Sequence, residues 1–146
     1  FMQGDELVAL GDKLKTHGIQ GGLKGLLDLA HKLGQEKGLN VLSTCDAKYL
    51  EVGVSSKSDN ADMIMRHLMK RGIAPKDCAF FGDEYVGVEP GIFGSDSFMK
   101  TNLTSEGDFF DVSSIEGERP QGVQVIGGGV DAFLNFLREK AAMDRK

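Results

Sequence analysis

The 146-residue chain has no tryptophan, only two cysteines and three prolines, and no apolar run near the roughly 18 residues that a bilayer span requires. Two cysteines exclude a disulfide-stapled scaffold. Cys45 and Cys78 each fall in a strand-like run and read as buried thiols in a reducing, cytoplasmic setting, with a disulfide or metal pair as the lesser alternative. An excess of basic charge is also missing. Lys and Arg total 17 against 22 Asp and Glu, a net charge of −5, which argues against a nucleic-acid surface. The opening "FMQGDELVAL" lacks the basic segment and long apolar core of a secretion signal, so Asn102-Leu103-Thr104 reads as a chance match to the glycosylation pattern. A chain that starts on Phe rather than Met reads as a fragment or a processed form. The three histidines, His17, His31 and His67, fall in separate helical stretches and share no metal-ligand spacing.

What is present fits one globular domain, or one and a fraction: 40% hydrophobic residues, 27% charged, and 20 glycines that imply many tight turns. Leu7, Leu10 and Leu14 recur at helical spacing over residues 5–16. Leu23, Leu26, Leu27, Ala30 and Leu33 do the same in the next segment, with Gly34 and Gly38 as stop signals. Two strands follow, over 39–45 and 48–54, joined by a hairpin at Asp46-Ala47. From Ser55 the texture changes. Ser and Asp residues suited to capping precede a helix with Ala61, Ile64, Met65 and Leu68 on one face, ending at Gly72, with Met63, Met65 and Met69 as packing residues. Residues 77–82 read as a short buried strand, 83–104 as a loop, 108–112 as a weak strand and 122–129 as a better one. An amphipathic helix over 130–142 closes the chain. This order predicts an α/β fold, a partial Rossmann-like parallel sheet with flanking helices, with a division near residue 55 between units 1–55 and 56–146.

In such sheets the strand C-termini and helix N-termini share one edge, where ligands bind. That logic brings Lys57, just before the helix at Ser58, to the same edge as Asp83, which follows the strand 77–82. A helix N-terminus favours an anion, an ammonium faces phosphate oxygens, and a carboxylate takes a hard cation. The combination suits a phosphate held with Mg2+. Glu84, Glu89 and Asp96 are further acids in the same loop.

The runs "GVSSKSDNADMIMRHL", "CAFFGDE" and "GSDSFM" resemble the second half of haloacid dehalogenase (HAD) superfamily phosphatases, in particular the Cof-type and sucrose-phosphatase-like members. The resemblance covers roughly residues 40–142, and the segment before it is similar to the tail of a C2-type cap, an α+β lid. It implies a Mg2+-dependent phosphohydrolase acting on a small phosphorylated metabolite, such as a sugar phosphate, with no nucleic-acid or membrane partner. Lys57 would neutralise phosphate charge with Ser58 beside it, and Asp83 would help to hold the metal. In the family the second acid follows four residues after the first, a position that is Gly87 here. Asp96 is then the substitute, displaced by an inserted loop, "YVGVEPGIF", that folds back on itself; capping of a helical turn is the competing role for Asp96. Glu84 and Glu89 stand behind these ligands or in solvent.

The family's nucleophile, the first Asp of an Asp-x-Asp after an apolar strand, has no counterpart, since Asp46 is followed by Ala and Lys. Covalent phosphoryl transfer needs that group. The chain alone is therefore expected to be inactive, with its uncovered sheet surface prone to self-association. The rival reading is a non-catalytic α/β module that binds a phosphorylated ligand or a partner protein. "IGGG" at 126–129, before the last helix, reads as a tight turn rather than a dinucleotide loop, because no second βαβ unit follows.

Overall fold

The computed structural model describes residues 4–45, 50–53, 56–87 and 91–143. The predicted Asp46-Ala47 turn and Glu89 lie outside these residues, as does the side chain of Cys45.

Helix α1 (Gly4–Thr16) carries Asp5 and Glu6 in its first turn and Lys13 and Lys15 in its last, charges that complement the helix dipole. Helix α2 (Gly22–Glu36) packs against it through the leucine faces that the spacing predicted. Gly34 is not a stop. It sits inside α2, where an added Cβ would lie 2.2 Å from Val41 Cγ2, so its role is the close approach of the following chain. The stop is Gly38, at φ 71°: Leu39 N–H donates to Gly34 O and Gly38 N–H to Gln35 O, the paired bonds of a Schellman ending. The strands β1 (Leu42–Cys45) and β2 (Leu50–Gly53) pair antiparallel.

Helix α3 (Lys57–Met69) opens on a reciprocal cap. Ser56 Oγ accepts from Ser58 N–H at 3.1 Å, and Asp59 Oδ2 accepts from Ser56 N–H at 2.9 Å. Beyond it, β3 (Ala79–Gly82), β4 (Asp108–Asp111) and β5 (Val123–Val125) form a parallel sheet in the order β3-β4-β5. The fold is thus mixed α/β, with a partial Rossmann-like sheet between helices. Alternating Phe residues explain how it is filled. Phe80 stacks on Phe109 with centroids 4.8 Å apart, and Phe81 on Phe110 at 5.0 Å. Phe133 and Phe136 of helix α4 (Gly129–Met143) meet Phe81 edge-on, so α4 covers that face. Met65 of α3 and Phe80 line one apolar groove, on the opposite face.

The relative strength of two strands is reversed from the sequence expectation. "DFFDV" makes the central, most buried strand, with Phe109, Phe110 and Asp111 all buried. "GVQVIGGG" supplies only a three-residue edge strand, because residues 127–129 all turn to positive φ. Among the described residues, no helix is long and apolar enough to cross a membrane.

Candidate functional site

Both connections that leave β3 and β4 bear acids, and the first doubles back on itself. Gly94 N–H donates to Tyr85 O and Asp96 N–H to Glu84 O, each at 3.2 Å. The chain then enters a 3₁₀ turn, Ser95–Met99, which lays Asp96 directly on Gly82, the last residue of β3. Asp96 is 4% exposed. Its Oδ2 accepts from Glu84 N–H at 2.8 Å and its Oδ1 from Lys57 Nζ at 2.5 Å. The Lys57 ammonium also reaches Glu84 Oε2 at 3.5 Å, and Ser95 Oγ donates to that same oxygen at 2.6 Å. Residues 84–87 and 91–96 therefore lie back against each other, and Asp96 is bound by a cation and an amide rather than capping its own turn.

Lys57 thus lies at the C-terminal edge of the sheet, in contact with the residue next to Asp83. Asp83 itself is exposed, and its carboxylate makes no hydrogen bond or ion pair among the described residues. Ser58 is half-buried, its hydroxyl held by that of Ser56. Glu84 joins the cluster through Lys57 and Ser95 while its side chain stays 42% exposed. Carboxylate oxygens suit Mg2+ in donor type, and Mg2+ commonly takes only one or two protein carboxylates and completes its shell with water and phosphate. Among the described residues no group of three or more acids, histidines or cysteines stands close enough to hold a metal by itself. The exposed Asp83 has carboxylate oxygens free for such a share, whereas each oxygen of the buried Asp96 already accepts a hydrogen bond, from Lys57 Nζ and from Glu84 N–H.

Three features of this edge escaped the sequence. Gly82 leaves room for Asp96: an added Cβ would lie 2.2 Å from its Oδ2. Asp111, wholly buried at the end of β4, accepts from Arg119 Nε at 2.6 Å and from Ser113 N–H at 2.7 Å. Tyr85 is wholly buried, and its hydroxyl is, among the described residues, the one buried side-chain polar atom with no hydrogen-bond partner. Only the "GD" of the strand end hinted at the first; nothing local marks the other two. The glycine run beyond β5 offers no anion site, since its amides are spent inside the fold. Gly127 N–H donates to Asp111 O, Gly129 N–H to Val112 O and Gly128 N–H to Ser114 Oγ.

The electrostatics set a pH dependence. Burial lowers the pKa of Lys57, but the hydrogen bond and charge of Asp96, joined by Glu84, outweigh it and leave the group raised above 10.5. Burial foremost, then the charges of Asp96 and Asp111, raise that of Tyr85 above its ordinary 10.0. Both groups hold their proton more tightly folded than unfolded. Their contribution is complete below the unfolded values and is lost as the pH climbs past them. Urea midpoints should therefore fall from about pH 10 upward, with Tyr85 alone contributing a slope of about 1.4 kcal/mol per pH unit. Tyr85→Phe should remove that slope. It should also leave stability at pH 7 unchanged or raised, because an unpaired buried hydroxyl costs about 1–3 kcal/mol.

Comparison of the chain with protein-family models, with curated proteins and with solved structures finds no match.

Proposed function

We propose that this edge is the phosphate and Mg2+ end of a phosphohydrolase of the HAD type, acting on a small phosphorylated metabolite such as a sugar phosphate. The observation that carries the reading is Lys57, an ammonium at a helix N-terminus, held between Asp96 and Glu84 beside the exposed Asp83. Lys57 and Ser58 would bind the phosphate oxygens, and Asp83 and Asp96 would hold Mg2+. When bound, that ion offsets the negative charge of the phosphoryl group. The reaction class is phosphoryl transfer to an aspartate and then to water. No residue of this chain is assigned as that aspartate. A strand that carried it would pair on the free edge of β3, which is unpaired among the described residues. The half-exposed Lys57 side chain and the apolar groove of about 310 Å³ between α3 and β3 would then lie against it.

Calorimetric titration of the chain with inorganic phosphate tests this. Binding that requires Mg2+ and is lost in Lys57→Met is the expected result. Phosphate binding that ignores Lys57, or none with Mg2+ present, would overturn it. Binding that needs Lys57 but not Mg2+ would favour the rival reading, a non-catalytic phosphate-binding module; the absence of Asp-x-Asp from the sequence is what supports that rival. Turnover of p-nitrophenyl phosphate by this chain would show that it carries an attacking group of its own.

A further inference from the structure

The two acids that hold Lys57 do not belong to its helix. They sit at one end of a doubled-back segment whose other end is anchored elsewhere. Its arms, residues 84–87 and 91–96, touch with no room for side chains between them. A Cβ on Gly87 would fall 1.3 Å from Ile92 O, and one on Gly94 would fall 2.0 Å from Glu84 O. The 3.2 Å bonds from Gly94 N–H to Tyr85 O and from Asp96 N–H to Glu84 O tie the arms together, as does the Ser95–Glu84 hydrogen bond. Two arms packed this closely move as one body. Away from Lys57, Ile92 is 6% exposed and packs against Leu23 of α2, with Leu7, Leu10 and Leu27 around them. The same body therefore has an apolar foot in the α1–α2 pair and presents two carboxylates to an ammonium on α3.

We propose that Ile92 is a positioning residue: its seat on α1 and α2 sets Asp96 and Glu84 against Lys57, so that displacement of the helical pair changes how much of the Lys57 charge is available to an anion. This builds on the phosphate reading of the same edge and adds a means of regulating it. With the foot seated, the ammonium is shared between two carboxylates; with the foot released, those carboxylates withdraw together, because the arms are bonded to each other. A ligand or partner that prises α1–α2 from the segment would free Lys57 without touching it.

Trace acetylation of the intact chain by acetic anhydride at fixed pH, with Lys57 read by mass spectrometry against Lys76 as internal reference, tests the coupling without assuming any phosphate chemistry. Ile92→Ala and Leu23→Ala, which empty the same contact from its two sides, should each raise the Lys57 rate roughly fivefold, equivalent to about 1 kcal/mol of lost ion pairing. Ile92→Val should stay near the native rate. Met63→Ala, an exposed substitution on α3 itself, should leave the rate unchanged. If Ile92→Ala does not fold, Leu23→Ala decides. An unchanged Lys57 rate in a folded Leu23→Ala or Ile92→Ala variant overturns the proposal. Native protein that fails to bind phosphate while these rates still shift would instead overturn the phosphate reading and leave the coupling standing.

Discussion

Arg119→Met is expected to destabilise the fold by about 3 kcal/mol, the scale seen when one member of a buried ion pair is removed. Arg119 is 13% exposed at its side chain and Asp111 is fully buried, with Nε to Oδ2 at 2.6 Å. All three guanidinium nitrogens donate, since Nη1 also reaches Gly117 O at 2.9 Å and Nη2 Ile115 O at 2.5 Å. Removing it strands a buried carboxylate with one amide partner, Ser113 N–H, and releases two carbonyls of the loop. The cost arises mainly from the charge left behind, so adding Asp111→Asn to Arg119→Met should recover part of the loss. Urea denaturation at pH 7 measures all three variants. Lys15→Met, which breaks an exposed pair with Asp12 on α1, is the contrast and should cost well under about 1 kcal/mol. A loss for Arg119→Met no larger than that contrast would mean that water already serves Asp111.

This buried pair also marks where the sequence stopped being readable. The four helices were legible because each writes its own punctuation. Leucines recur at helical spacing in α1 and α2, Ser56 and Asp59 cap α3 reciprocally, and Gly38 and Gly72 end α2 and α3. The parallel sheet followed from element order alone. Strand quality did not, because a short apolar run says nothing about how many neighbours it will have. "DFFD" is flanked by two strands and buries both faces, while "VQV" sits at an edge.

The site was half legible for a related reason. Helix-start and strand-end positions put Lys57 on the right edge, since that inference needs only topology. Which acid it meets depends on how residues 83–96 return, and that return is set by contacts far apart in the chain: Asp96 on Gly82, Gly87 under Ile92, and Ile92 in the α1–α2 leucines. Hence Lys57 pairs with Asp96 and Glu84, one residue beyond the Asp83 that the spacing singled out. Arg119 lies in a loop with no periodic signal, and an acidic strand end followed by an arginine eight residues later is too common a pattern to read.

Gly82→Ala should damage the site as thoroughly as deleting Asp96, although it changes no charge. The new methyl would lie 2.2 Å from Asp96 Oδ2, 2.4 Å from Cγ and 2.7 Å from Cβ, so the whole carboxylate arm is in the way rather than a flexible tip. That arm cannot swing aside cheaply, being held by Glu84 N–H, by Lys57 and by its own buried turn. Overpacking of this kind costs about 1–3 kcal/mol, and relief requires Asp96 to leave Lys57. Denaturant titration should show that loss, and Mg2+-dependent phosphate binding should disappear with it. The double variant Gly82→Ala/Asp96→Ala separates the two effects. It removes the contacts with Oδ2 and Cγ and leaves the one with Cβ at 2.7 Å, so stability should return only part of the way toward that of Asp96→Ala, while phosphate binding should stay lost because the carboxylate is gone. Restored binding in the double variant would place the cation's ligand elsewhere on the edge. Unimpaired stability in the single variant would mean that Asp96 has a second resting place, away from β3, that leaves its bonds to Lys57 and Glu84 dispensable.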